Sequence, residues 1–140
     1  MAKRSGQAGF TLIELLVVMV ILGLLAALVV PNYMKQGDKA RVNTTRAQIE
    51  MIGTALDTFR LDIGRYPSSE EGLEALRDRP SGVERWDGPY LKKDVPKDGW
   101  GNSYIYRSPG EREPYELQSY GADGVAGGSG INSDINSWEG

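Results

Sequence analysis

Hydrophobic and polar positions divide the first half of the chain into two different helical patterns. From Leu15 to Val30, sixteen residues pass without a charge; extending back to Phe10 gives 21 residues with one charge, Glu14. At about 1.5 Å per residue such a helix covers roughly 30 Å, the depth of a bilayer's hydrocarbon core. Beyond Pro31 the apolar residues become periodic. Ile49, Ile52, Leu56, Phe59 and Ile63 recur at spacings of 3, 4, 3 and 4, with Glu50, Asp57, Arg60 and Asp62 between them. That is one apolar face of a helix packed on a core. Pro31 removes a backbone donor and predicts a kink, and Gly64 with Pro67 supplies the stop. The pattern therefore predicts one long helix over about 11–62.

The second half reads as short elements joined by turns. Ser68 and Glu71 form a capping box, which predicts a helix over about 69–77 with Leu73 and Leu76 facing inward. Residues 80–102 are rich in Pro, Gly and Asp and read as a connecting loop pinned by Trp86, Tyr90 and Trp100. Ser103–Arg107 and Tyr115–Tyr120 read as strands around a turn containing Pro109, Gly110 and Pro114. The economical assembly is an α+β fold: a long N-terminal helix packed on a small antiparallel sheet. The expected organisation is a short segment over 1–9, a membrane helix over 10–30, its amphipathic continuation over 31–63, and a head over 64–140.

Composition narrows the chemistry. The 140 residues contain no histidine and no cysteine, which removes thiol nucleophiles, Ser-His-Asp triads, disulfides and the usual zinc sites. Any metal site must use oxygen ligands, which favours hard cations such as calcium. A net charge of −3 gives no basic footprint for nucleic acid. The slightly negative mean hydropathy averages an apolar segment with a water-soluble one. From Pro31 onward the 110 residues carry 14 positive and 18 negative side chains.

An apolar run behind Lys3 and Arg4 is also what a cleaved signal peptide offers. Against that, the run is slightly long, Ala26-Ala27-Leu28 gives no clean cleavage pattern, and Glu14 lies just inside its start. A carboxylate in hydrocarbon costs several kcal/mol unless partnered. Charge counting does not orient the span. Lys3 and Arg4 favour a cytoplasmic leader, but Lys35, Lys39, Arg41 and Arg46 follow the span against one nearby acid, Asp38.

Gly9-Phe10-Thr11-Leu12-Ile13-Glu14 resembles the processing site of type IV pilins and type II secretion pseudopilins. The resemblance implies a prepilin peptidase that cuts after Gly9 and N-methylates Phe10, leaving the apolar helix on the mature protein. Glu14 then attracts the Phe10 amine of a neighbouring subunit and sets register during assembly. Within one straight helix Phe10 and Glu14 are also an i,i+4 pair, so an intramolecular contact is the alternative; a third reading is that Glu14 snorkels to the headgroups. Gly23 and Pro31 bracket a stretch that is partly unwound in related filaments.

The head resembles the major pseudopilins in Asp62-x-Gly64-x-Tyr66-Pro67, Glu71-Gly72-Leu73-x-x-Leu76 and Asp98-Gly99-Trp100-Gly101-Asn102-x-Tyr104. That family commonly has prolines at positions 99 and 103, where this chain has Gly and Ser. These departures are taken as local turn variation. The tail is glycine-rich: five of the ten residues from Gly121 to Gly130. Composition allows a floppy end or, with Asp123 and Asp134 flanking the run and Ile135 and Trp138 to bury, a cation loop.

Tyr120-Gly121-Ala122-Asp123-Gly124 followed by Asp134-Ile135 and Trp138 resembles the calcium loop of the major pseudopilins. This implies carboxylate ligands from Asp123 and Asp134, carbonyl ligands from Tyr120 and Val125, and a ligand at Ser129.

Three functions compete at this point. The first is the major structural subunit of a type II secretion pseudopilus, which polymerises with itself into a periplasmic filament. It would be stored in the bacterial inner membrane among lipid. Its partners would be a prepilin peptidase, minor pseudopilins and an inner-membrane assembly platform, with no nucleic acid. The second is a subunit of a type IV pilus for adhesion or motility, many of which close their C-terminal region with a disulfide. The third is an enzyme acting through acids such as Asp62, Asp98 and Asp123.

Overall fold

Thr11 starts the long helix. The computed structural model describes residues 9–139, and within them the Thr11 hydroxyl accepts the Glu14 N–H at 3.2 Å, the signature of an N-cap. The helix, α1, runs unbroken over Leu12–Ile63 with Pro31 inside it. Every described residue from Gly9 to Asn32 is exposed. Among the described residues α1 is the one helix long and apolar enough to cross a bilayer. The expected leader lies outside the described residues except for Gly9.

The chain divides into two compact units after Gly37. In the second, from Asp38 onward, the periodic stripe of α1 becomes the core. Ile52, Leu56 and Phe59 have no exposed surface, Ile49 is buried, and Ile63 is half-buried at the edge. Against them pack Leu73, Leu76, Leu91, Tyr104, Leu117 and Ile135. The loop aromatics pin the connection as expected. Phe59 meets Tyr90 edge-on at 5.6 Å, Tyr90 meets Trp86 at 5.7 Å, and the Trp86 indole donates to the Ala75 carbonyl at 2.7 Å.

The helix expected over 69–77 is shorter. Its capping box is present, with the Ser68 N–H donating to Glu71 (2.9 Å) and the Glu71 N–H to Ser68 Oγ (3.1 Å). The next residue, Gly72, has φ +64°, outside helical space, so the box closes a turn and only a 3₁₀ turn, Leu73–Leu76, follows. Glu71 also takes both guanidinium nitrogens of Arg65 at 2.6 and 3.2 Å, which holds its carboxyl at about 2, well below the ordinary range.

The sheet has three antiparallel strands in the order β1 (Ile105–Arg107), β2 (Glu116–Ser119), β3 (Ile135–Asn136). The first two are shorter than their expected spans. Tyr106 pairs with Leu117 and Ser119 with Ile135. The connection between β1 and β2 is organised by buried Glu116, whose Oε1 accepts the Glu111 and Arg112 N–H groups at 3.1 and 3.0 Å. Strand β3 has no counterpart in the sequence reading. It places Ile135 in the core, while Trp138 lies half-buried with the Arg112 guanidinium 5.1 Å above its ring.

Candidate functional site

Two regions carry the expected functional residues: the start of α1 and the loop between β2 and β3. At the first, Gly9 and Phe10 precede α1 outside regular secondary structure, and Phe10 is 85% exposed. Phe10 thus lies two residues before the first residue of α1, with the Thr11 cap between it and the helix. Glu14 occupies the first turn, where the N-terminal end of the helix dipole favours a carboxylate. Thr11-x-x-Glu14 is itself a capping pattern that the sequence reading missed. Gly23 and Pro31 are both exposed residues within α1.

The glycine-rich segment is a closed loop. The Ala122 N–H donates to the Ile131 carbonyl at 2.8 Å, and a 3₁₀ turn, Gly130–Asn132, leads into β3. Asp134 reaches across the loop, where both its carboxylate oxygens take the Gly127 N–H at 3.0 and 3.1 Å. Asp123 accepts the Val125 N–H through Oδ1 at 3.2 Å. Among the described residues its Oδ2 accepts no hydrogen bond, nor do the carbonyls of Tyr120 and Val125. Ser129 lies in extended backbone immediately before the 3₁₀ turn, and its carbonyl accepts the Asn132 N–H at 3.1 Å.

No cluster of three or more acidic side chains occurs among the described residues. A cation held here must therefore combine two carboxylates with backbone carbonyls. Such a donor set is all oxygen and suits a hard ion.

Next to this loop lies a buried polar group whose place in the fold the sequence reading missed. Asp98 is 5% exposed. Its Oδ1 accepts the Trp100 and Asn102 N–H groups at 3.0 and 2.9 Å, and its Oδ2 accepts the Ser119 hydroxyl at 2.6 Å. Gly99 then donates its N–H to the Thr45 hydroxyl of α1 at 2.9 Å, while Thr45 donates to the Arg41 carbonyl at 2.8 Å. A Cβ on residue 99 would lie 2.6 Å from that same carbonyl. A proline at 99 has no N–H to give Thr45, so this glycine is a matched contact with α1, not local turn variation.

Of the other acids considered for catalysis, Asp62 accepts the Tyr90 hydroxyl at 2.8 Å on the surface. Asp98 spends its carboxylate on structural hydrogen bonds. Burial pushes the hydroxyls of Tyr106 and Tyr115 up to about 12, and that of Tyr104 higher still.

An exposed apolar helix entered through a short capped end, carrying a small α+β head, defines a pilin-like subunit. Comparison with known proteins agrees at both ends of the chain. Residues 4–30 match the prokaryotic N-terminal methylation motif, and residues 32–138 match the family described as type II secretion system (T2SS), protein G. Core protein G of Pseudomonas aeruginosa is 50% identical, over 98% of this chain and 99% of its own. That of Vibrio cholerae is 43% identical, over 99% and 96%.

The crystal structure of the major pseudopilin of enterohaemorrhagic Escherichia coli aligns with a TM-score of 0.63 at 36% identity. It covers 79% of this chain and 96% of that one. The chain belongs to the protein G family of the type II secretion system, that of the major pseudopilin, and not to the type IV pilus subunits. The family is one of structural subunits.

Proposed function

We propose that a prepilin peptidase cuts the chain after Gly9, that Phe10 is N-methylated, and that the product waits in the inner membrane with its head in the periplasm. From there it is drawn, with minor pseudopilins and an inner-membrane assembly platform, into a homopolymer that drives export of folded proteins across the outer membrane. It acts as a structural part and not as an enzyme. The observation that carries this reading is the match to the methylation motif over residues 4–30, which takes in the exposed apolar first half of α1.

Glu14 pairs with the Phe10 amine of a neighbour. A carboxylate in the apolar segment needs a counter-charge, and exposed Glu14 is open to one from a neighbouring subunit. Glu14→Ala is expected to leave membrane insertion intact and to abolish filaments on overexpression. Normal filaments from Glu14→Ala would remove the register role.

The loop over 119–138 binds calcium through Asp123, Asp134, the carbonyls of Tyr120 and Val125, and Ser129. The free carbonyls and the unbonded Asp123 oxygen support it. Calcium supplies the cross-link that a cysteine-free exported head lacks, joining the two sides of the loop by attraction to both carboxylates. A ligand bound only by the folded state raises the melting midpoint. The full chain in detergent should therefore melt higher in calcium than in chelator, and equal midpoints would refute the assignment.

A further inference from the structure

The buried Asp98 group ends at the first residue of the cation loop. The Ser119 hydroxyl has one proton, and the Asp98 carboxylate at 2.6 Å takes it. Its lone pairs are thereby turned toward a donor, and the donor is the Gly121 N–H at 3.2 Å. That N–H belongs to the Tyr120–Gly121 peptide, which is planar and trans. In such a unit the N–H and C=O point to opposite sides, so fixing one direction fixes the other. The Tyr120 carbonyl is thus aimed by a hydrogen bond made on the far side of its own peptide.

The following peptide is held too. Asn102 donates its side-chain amide to the Gly121 carbonyl at 3.4 Å, and its backbone N–H is one of the two on Asp98 Oδ1. Gly121 itself has φ +79°, and a Cβ there would lie 2.7 Å from the Ser133 carbonyl and 2.8 Å from that of Ile131. The backbone has no slack at the point where the loop leaves β2. Ser119 and Thr45 are fully buried, so water does not compete for these bonds.

We propose that Ser119, locked by Asp98 and assisted by Asn102, is the positioning residue that aims the Tyr120 carbonyl into the cation loop. The group is preorganised before any ion arrives, because the bonds from Asp98 to Ser119 and from Ser119 to Gly121 are made by buried protein groups alone. This inference rests on the calcium reading of the loop. Ser119 does not touch the ion; it acts through a peptide plane. Partners that orient ligands in this way commonly change metal affinity about ten- to hundredfold when removed.

The test is calorimetric titration of calcium into the full chain in detergent, well below the apo melting midpoint. Wild type is compared with Ser119→Ala and with Ile52→Val, a core change remote from the loop. The expected result is that Ser119→Ala weakens calcium binding about tenfold or more. Ile52→Val should lower the melting midpoint and leave the calcium Kd within about twofold of wild type. Near-UV circular dichroism checks folding, and Asn102→Ala, a half-buried position, is judged by the same tenfold criterion if Ser119→Ala does not fold. Wild-type affinity in the folded variant overturns the positioning role and leaves the calcium reading standing. Absence of calcium binding by the wild type overturns both.

Discussion

The two ends of α1 are built from similar residues and answer to different surroundings. Between Leu15 and Val30 the helix is apolar on every side, and nothing among the described residues covers it: Leu16 is 53% exposed and Leu24 64%. Between Ile49 and Phe59 the stripe of Ile49, Ile52, Leu56 and Phe59 is buried, and Met51, off the stripe, is exposed. A striped helix needs a core on one side, whereas an all-round apolar helix needs an apolar solvent. The continuous backbone joins one segment whose apolar surface is exposed to another whose apolar stripe is buried by its own head.

Changes on either side of that divide should separate cleanly. The largest effect belongs to the stripe. Phe59→Ala removes a ring with no exposed surface and should cost the head about 3–5 kcal/mol in denaturant unfolding, with membrane retention unchanged. In the uniform segment, Leu22→Lys should disfavour insertion by about 2.5–3.5 kcal/mol and shift the chain out of the membrane fraction. The melting of the head should stay the same. If Leu22→Lys lowered head stability by as much as Phe59→Ala, the division would be wrong.

Next in size is the contact that ties α1 to the loop beside β2. Gly99→Ala puts a methyl 2.6 Å from the Arg41 carbonyl and should cost about 1–3 kcal/mol by thermal melting.

The smallest effect concerns Glu71. Its carboxyl sits at about 2 in the folded head, below its ordinary 4.5, because Arg65 holds the charged form. The folded state therefore releases this proton more readily than the unfolded chain. The stabilisation is full above about pH 4.5 and is lost as pH falls through about 2. Arg65 is half exposed, so screening reduces the contribution to about 1–2 kcal/mol. The stability gap between wild type and Glu71→Gln should be constant above pH 5 and close progressively on acidification.

What could be read from the sequence follows the range of the interactions involved. The stripe on α1 is a local period, and Ile49, Ile52, Leu56 and Phe59 were all legible from it. The capping box at Ser68 and Glu71 was legible as two hydrogen bonds. Its consequence was not, because Gly72 leaves helical space one residue later. Strand β3 escaped notice because two residues in a polar, glycine-rich tail have no period, and pairing with β2 is what makes them a strand.

The Asp98 group was equally hidden. Thr45, Gly99, Ser119 and Gly121 are far apart in sequence, and only the folded head turns them into one chain of hydrogen bonds. The Gly99 departure looked like turn variation for the same reason: its partner, Thr45, sits on a different element. At the N-terminus the Gly9-Phe10 and Glu14 pattern was legible by resemblance, while the capping role of Thr11 went unread beside it.

The proposed role requires that the apolar half of α1 remain part of the mature protein. Removal of the first nine residues also takes Lys3 and Arg4, which moves the formal charge from −3 to −5. Intact mass and N-terminal sequencing of the protein extracted from membranes test this directly. An N-methylated terminus at Phe10 is the predicted result. A mature chain that begins beyond Ala27 would show the segment to be a discarded signal peptide and would contradict the account.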